Sequence, residues 1–216
     1  MKTMKTSDIG NSFLLLLLVV LSTTAQAQTN STLTAQQESE FASQLAANRP
    51  IEAGQSYWIE ELTWMEIRDL IADGTTTIII PTGGIEENGP YLTTGKHNFI
   101  LQATCPEIAK NLGNALCAPI VKFVPEGNIN PPSGSMLFPG TISLTQATYE
   151  ALLTDIASSL KQSGFTDIVL IGDSGGNQTG MANVAATLSE LWSDEITGIH
   201  FVREFYDPGW EATEQY

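Results

Sequence analysis

Apolar segments that alternate with amphipathic segments constrain the fold more than any other feature of this sequence. TTIII at 76–80 and DIVLIG at 167–172 are apolar and β-branched through their centres, as strands covered on both faces are. LTWMEIRDLIADG at 62–74 and the region 145–164 space their apolar residues three and four apart, which is typical of amphipathic helices. Two more helices, near 98–112 and 181–192, and two more strands, CAPIVKFV at 117–124 and GIHFVREF at 198–205, are also predicted. The alternation predicts an α/β fold with a mostly parallel sheet flanked by helices.

The first 27 residues have the features of a secretory signal peptide. Lys2 and Lys5 precede an apolar run at 13–21 that is too short to cross a bilayer, and Ala-Gln-Ala at 25–27 fits the small-x-small cleavage pattern. No cysteine stands at this point, which argues against a lipoprotein. We therefore expect a periplasmic or secreted protein that starts at Gln28 and has no membrane association after cleavage.

The remaining chain divides by composition into a leader and one domain. Residues 28–54 are rich in threonine, serine, glutamine and alanine, which predicts a flexible leader with a short helix near 38–47. Residues 55–216 are long enough for one domain with its own core. Within them, PEGNINPPSGSMLFPG at 125–140 is rich in proline and glycine, and loops of this length are usually functional or disordered. We expect it to form a semi-rigid lid.

Charge and cysteine content narrow the possible partners. A net charge of −15 argues against nucleic acid and against anionic membrane surfaces, and it is also what a solvated acidic surface gives. The two cysteines, Cys105 and Cys117, could form a disulfide in an oxidising compartment or remain buried free thiols. Their spacing does not match a metal site, and the sequence leaves both alternatives open.

Two carboxylates follow the two clearest strands. Glu86 comes shortly after TTIII, and Asp173 comes directly after DIVLIG. Parallel α/β sheets bind ligands at the carboxyl ends of their strands, so both are expected on one rim. His97, one of only two histidines, lies in the same predicted loop as Glu86. A set of two carboxylates and one imidazole suits a divalent ion, with zinc first and manganese or iron as alternatives, and we hypothesise that these three residues bind it.

Each of these residues also has a simpler explanation. Glu86 could cap a turn or pair with Lys96, Asp173 could cap the helix that follows it, and a lone histidine is usually a surface residue. The rest of the predicted site is weaker. Asn88 is a candidate for hydrogen bonding to a substrate, and Glu126, in the long loop, is a candidate general base or fourth ligand.

The segment DSGGN at 173–177 is a tight turn that opens a helix. Its glycines permit close backbone approach, and free N–H groups there could stabilise an oxyanion, which makes Ser174, Gly175, Gly176 and Asn177 candidates for substrate or oxyanion binding. A strand-to-helix turn with a purely structural role explains the same residues equally well.

Three blocks together resemble the creatininase family in order and spacing. They are LTWMEIRDLIADGTTTIIIPTGGIEENGPYL, FPGTISL and GFTDIVLIGDSGGN, and they extend over about residues 62–192. The resemblance implies a three-layer α/β/α sandwich, a homo-oligomer, and a divalent metal centre, often of two ions, that activates water against the carbonyl of a small amide substrate.

The resemblance also shows where this sequence departs from the family. Glu86 matches a ligand glutamate, but Asn88 and Tyr91 stand where the family usually has histidines, and His97 stands where a bridging aspartate is usual. Ser174 likewise replaces a usual histidine, with Asp173 beside it. A neutral imidazole cannot bridge two ions, so one ion is expected rather than two. A late glutamate-containing segment is missing, which predicts a C-terminally truncated chain.

The resulting functional hypothesis is an exported metal-dependent hydrolase of a small amide, lactam or related C–N bond. Two alternatives stay open: an inactive small-molecule-binding protein on the same fold, and a metal-dependent lactonase. Because each lost histidine has a histidine or carboxylate nearby, the sequence favours a rearranged site over a decayed one.

Overall fold

The chain forms two units, of residues 1–46 and 47–216. The computed structural model describes residues 33–207, so the predicted signal peptide lies outside the described residues. The described part of the first unit is one helix, α1 (Ala35–Leu45), whose N-cap Thr34 accepts a hydrogen bond from the backbone N–H of Gln37. No residue of α1 is buried. The short helix expected in the leader is therefore confirmed, although it begins earlier than predicted.

A four-stranded parallel sheet forms the centre of the second unit. Its strands are β1 (Thr77–Thr82), β2 (Ala115–Cys117), β3 (Asp167–Gly172) and β4 (Gly198–Phe201), and their order across the sheet is β2-β1-β3-β4. Strands β1 and β3 pair along their full length, from Thr77 opposite Asp167 to Thr82 opposite Gly172. Both strands consequently end at the same level, which places the segments that follow them side by side.

Helices cover both faces of the sheet. They are α2 (Trp64–Ala72), α3 (Lys96–Leu112), α4 (Gln146–Gln162) and α5 (Gln178–Leu191). Ile78 and Ile80 of β1 pack with residues of α4 and α5, including Leu153 and Met181, in one buried cluster. Ile79, which points the other way because strand side chains alternate, packs with Leu101 of α3 in a second cluster. The predicted three-layer α/β/α arrangement is confirmed.

Local signals explain where the central helices begin and end. Thr145 accepts a hydrogen bond from the N–H of Thr148 and so caps α4, as the sequence predicts. Gly113 ends α3 with a φ of 80°, a left-handed conformation that glycine adopts without steric strain. No helix among residues 33–207 has both the length and the apolar character needed to cross a membrane.

Several predicted boundaries differ from the structure, among them the start of α5 at Gln178 rather than 181. α3 begins at Lys96 rather than near 98, which places His97 in a helical turn instead of a loop. The strand predicted at 117–124 ends at Cys117 and continues only as isolated bridges at Val121 and Val124, because Pro119 has no N–H to donate to a ladder. β4 ends at Phe201 and is followed by a short 3₁₀ helix instead of more strand.

Cys105 and Cys117 form a disulfide that joins α3 to the edge strand β2. Their Cα atoms are 6.3 Å apart, and both residues are fully buried. Both cysteines belong to the cluster between α3 and the sheet, so the bond reinforces the packing of that layer. The structure thus decides between the two alternatives that the sequence leaves open.

We expect the double substitution Cys105→Ala and Cys117→Ala to lower the free energy of unfolding by about 3 kcal/mol, since a cross-link of this separation restricts the unfolded chain. Urea unfolding of the oxidised wild type and of the double variant measures the difference. A reducing agent should destabilise the wild type and leave the double variant unchanged. Equal sensitivity of the two proteins to reduction would contradict the prediction.

Candidate active site

A cavity of about 690 Å³ opens at the carboxyl ends of β1 and β3. Its wall combines acidic, basic, small and aromatic residues: Glu86, Asn88, Lys96, His97, Ile100, Glu126, Asp173, Ser174, Gly175, Gly176, Phe205 and Tyr206. The two predicted carboxylates therefore lie on one rim. Of the nine residues predicted for the site, only Asn177 is absent from this wall.

A chain of hydrogen bonds joins the three residues predicted to bind metal. Nδ1 of His97 lies 2.7 Å from Oδ2 of Asp173, and Nε2 of the same ring lies 2.7 Å from Oε1 of Glu86. The second carboxylate oxygen of Glu86 accepts a hydrogen bond of 2.9 Å from the hydroxyl of Ser135 in the long loop. A neutral imidazole has only one N–H, so two carboxylate partners require the doubly protonated ring.

Glu126 lies in the buried part of the cavity wall. Only 6% of the residue is exposed, and after burial Glu86 contributes to its raised pKa. The hydroxyl of Ser174 lies 3.2 Å and 3.3 Å from its two oxygens. The backbone N–H of Glu126 donates to the hydroxyl of Ser143, and this bond anchors the start of the long loop to the segment that follows the loop. The predicted lid thus contributes both Glu126 and Ser135 to the rim.

The charges in the cluster follow from these contacts. Burial alone would raise the pKa of Glu86, but hydrogen bonds, chiefly from His97, outweigh it and lower that pKa to about 2. Burial alone would lower the pKa of His97, but its hydrogen bonds to Asp173 and Glu86 raise it to about 9. Burial raises the pKa of Glu126 to about 8, with a further contribution from Glu86. At neutral pH the cluster therefore holds an anionic Glu86, a cationic His97 and a protonated Glu126.

Glycines in the two rim motifs leave space for the functional side chains. A Cβ atom on Gly84 would lie 2.2 Å from Oε1 of Glu126, and one on Gly83 would lie 2.1 Å from Oδ1 of Asn98. The amide of Asn98 instead bonds to the backbone of Gly84, where it accepts from the N–H at 3.3 Å and donates to the carbonyl at 2.8 Å. This pair of bonds fixes the first turn of α3, and with it His97, against the end of β1.

The side chain of Asn177 ties the DSGGN turn to the end of β1. It is fully buried and donates to the carbonyls of Thr82 and Gly83, while a substrate or oxyanion role for the backbone N–H of Asn177 stays a prediction. The N–H of Gly176 lies 3.4 Å from the hydroxyl of Ser174, which caps the short 3₁₀ helix. Gly175 lies on the cavity wall, where an oxyanion role stays a prediction.

Four cavity residues were not predicted as part of the site. Lys96 and Ile100 flank His97 on α3, and Phe205 and Tyr206 follow β4. Ligands bind at the carboxyl ends of parallel strands, and this rule also applies to β4. The residues after β4 could therefore have been predicted as part of the site. They were missed because 198–205 was predicted to continue as a strand.

A family model described as creatinine amidohydrolase, or creatininase, matches residues 60–216. The chain belongs to the creatininase family. A creatinine amidohydrolase from Pseudomonas putida is 29% identical over 117 residues, which cover 54% of this chain and 44% of that protein. The chain thus spans about half the length of the relatives that it matches.

Solved creatininases share the fold. One creatinine amidohydrolase gives a TM-score of 0.57 at 24% identity, covering 69% of this chain and 58% of that one. A tryptophan-to-phenylalanine mutant creatininase gives 0.59 at 25% identity, covering 68% and 58%. Other similar structures are described as a Zn-Zn type mutant creatininase and as a manganese creatininase.

The ligand hypothesis for this creatininase-family chain depends on how its side chains are arranged. Glu86, His97 and Asp173 meet as predicted, but in a hydrogen-bonded row rather than around a common point. Two ligand atoms on one zinc, each about 2.0–2.2 Å from it at a tetrahedral angle, lie roughly 3.4 Å apart. The atoms of His97 and Glu86 are 2.7 Å apart. Within residues 33–207, no group of three or more histidine, cysteine, aspartate and glutamate side chains is placed to hold a metal ion. As arranged, these residues do not fit one.

Replacing His97 by glutamine should lower the free energy of unfolding at neutral pH by about 3 kcal/mol, because the variant leaves two carboxylates without their cation. The folded-state pKa of His97 is raised to about 9, so its contribution is complete below 6.5 and is lost as pH rises through 9. Urea unfolding of both proteins at neutral pH and above pH 9 should show the difference shrinking.

His200→Gln is the matched control for this substitution. His200 is the other histidine of the chain, and its exposed side chain lies 3.6 Å from Asp167 on the neighbouring strand. Exposed pairs of this kind contribute at most about 1 kcal/mol. An effect of His200→Gln as large as that of His97→Gln would contradict the buried ion-pair role assigned to His97.

Proposed function

We propose that this chain is an exported hydrolase of small amides and lactams in which Glu126 moves the proton. The observation that carries this proposal is the carboxyl group of Glu126, held in the wall of the cavity beside Glu86 with a pKa of about 8. A general acid–base catalyst works best when its pKa lies near the working pH, and an ordinary glutamate is far from it. The creatininase family match supports a C–N bond as the target.

The proton transfers follow from the position of Glu126. Its ionised carboxylate removes a proton from a water molecule whose oxygen attacks the carbonyl carbon of the amide. The same carboxyl then delivers that proton to the amide nitrogen while the C–N bond breaks. One water is consumed, the products are an acid and an amine, and Glu126 returns to its ionised form.

The other charged residues set the state of Glu126. Burial raises the pKa of Glu126 most, and the negative charge of Glu86, which stays ionised over the working pH range, raises it further. His97 and Asp173 hold Glu86 in place through the two bonds of 2.7 Å. Lys96 contributes to the same wall and carries a positive charge suited to a developing oxyanion. Asn88, whose amide donates to the backbone carbonyl of Glu86, is placed to contact a substrate.

A divalent metal ion, expected from the resemblance, has support in the zinc and manganese forms of the solved relatives. The side chains of this cavity do not fit an ion as they are arranged, so the proposed chemistry uses only groups of this chain. The choice among zinc, manganese and iron stays a prediction, as does the homo-oligomeric state.

Glu126→Gln should lower kcat/KM by about 10²- to 10⁴-fold, because an amide cannot move the proton. Wild-type kcat/KM should rise up to pH 8 as Glu126 ionises and fall above pH 9 as His97 loses its proton. The variant should be at least as stable as the wild type. A raised carboxyl pKa makes the wild type lose stability as pH rises from 4.5 through about 8, and glutamine does not titrate.

The assay uses a panel of small lactams and linear amides, with lactones of the same ring size to separate C–N from C–O cleavage. Glu87→Gln is the control, since Glu87 is a neighbouring carboxylate that is not part of the cavity wall. Retention of full activity in Glu126→Gln would remove Glu126 from the mechanism. Failure of the wild type to open any lactam or amide would overturn the proposed function.

Export is part of the proposal. Its support is the signal-like sequence of residues 1–27 and the disulfide, since oxidising compartments favour such bonds. Protein expressed with its own N-terminus and recovered outside the cytoplasm should begin at Gln28, as N-terminal sequencing would show. Ala27→Lys, which disturbs the small-residue cleavage pattern, should leave unprocessed precursor. A wild-type protein that retains Met1 would refute export by this signal.

A further inference from the structure

Both nitrogens of the His97 ring are occupied by carboxylate oxygens of this chain. The contacts to Asp173 and Glu86 are equally short, at 2.7 Å, and the ring lies between them. An imidazole that binds a metal must present one unprotonated nitrogen to it. In the observed arrangement, each nitrogen instead donates a proton to a carboxylate.

Other carboxylate oxygens of the cluster also have protein partners. The second oxygen of Glu86 accepts from Ser135, and both oxygens of Glu126 lie within hydrogen-bonding distance of the Ser174 hydroxyl. Each carboxylate oxygen of Glu86 is therefore engaged by a protein donor, one by the imidazole of His97 and the other by the hydroxyl of Ser135.

Backbone contacts on both sides hold the row at this spacing. The N–H of Glu86 donates to the carbonyl of Thr94 at 3.0 Å, just before α3 begins. Asn98, the neighbour of His97, holds the backbone of Gly84 through two hydrogen bonds. These contacts fix the backbone of Glu86 and the first turn of α3 relative to each other.

We infer that Glu86, His97 and Asp173 form a metal-independent triad in which the imidazole ring of His97 supplies the positive charge that a bound ion would otherwise supply. This departs from the metal forms of the solved relatives. It concerns how the site is held together and is independent of the bond that the protein cleaves.

The first experiment uses the full chain purified without a polyhistidine tag. Elemental analysis should find less than one equivalent of zinc or manganese, and a chelator should leave the melting temperature unchanged. Titration with zinc chloride or manganese chloride should show no binding that depends on His97. Nitrogen-15 NMR of the ring at neutral pH should show protons on both nitrogens of His97, with His200→Gln used to assign the signals.

A second experiment replaces the cationic ring of His97 by a carboxylate, so that a metal ion would be needed to balance the charge. His97→Asp would place three carboxylates together without a cation, so zinc or manganese should raise its melting temperature by about 5 °C, as expected for a ligand that binds only the folded state. His97→Asn has the same size without the charge and should not respond. If His97→Asp fails to fold, the wild-type titration and NMR still decide.

The inference is overturned if the wild type binds one or more equivalents of zinc or manganese and His97→Asn abolishes that binding. It is also overturned if one ring nitrogen of His97 is unprotonated at neutral pH. Binding that persists in His97→Asn does not use the ring of His97 as a ligand and supports its ion-pair role. Because none of these readouts uses activity, a failure to hydrolyse amides would not be mistaken for a failure of the triad.

Discussion

The parallel pairing of β1 with β3 is the constraint on which the site depends. The two strands pair from Thr77 and Asp167 to Thr82 and Gly172, so both leave the sheet at one level. Asp173 follows β3 directly, and the segment after β1 carries Glu86 to the same rim. Backbone hydrogen bonds therefore bring the two carboxylates to the same rim.

Three carboxyl groups close together in a mostly buried cavity must have their charge balanced. Like charges at this range raise one another's pKa values, and burial penalises every ionised form. Two protons offset most of this charge: the second proton of the His97 ring, which lies between Glu86 and Asp173, and one on Glu126. The same proton balance makes Glu126 a titratable group in the cavity wall, and the proposed hydrolysis uses its ionised form.

Close packing of backbone against side chain explains the glycines of both rim motifs. A Cβ atom on Gly84 would meet Glu126, and one on Gly176 would lie 2.0 Å from the carbonyl oxygen of Pro125. Each glycine admits the long loop to the rim, so that Glu126 and Ser135 reach Glu86. The glycine pairs that look like simple turn formers in the sequence are therefore requirements of the site.

The sequence by itself determined the layers and the rim. Apolar strand centres such as Ile78–Ile80 alternate with amphipathic helices that bury one apolar face. This pattern allows few arrangements other than a parallel sheet between layers of helices. It also placed Glu86 and Asp173 at strand ends and proposed His97 and Glu126 as their companions. Residues after β4, such as Tyr206, were not predicted as part of the site, because apolar strands and 3₁₀ helices have similar composition.

Tertiary structure alone decided how these groups are used. Three features depend on the positions of side chains from distant segments. They are the disulfide between Cys105 and Cys117, the bonds of the Asn177 side chain to two backbone carbonyls, and the atoms that contact the ring of His97. The spacing of residues in the sequence carries no information about differences of a few tenths of an ångström between side-chain atoms. Such distances separate an imidazole that binds a metal ion from one that replaces it, because hydrogen bonds are shorter than the gap between two ligands of one ion.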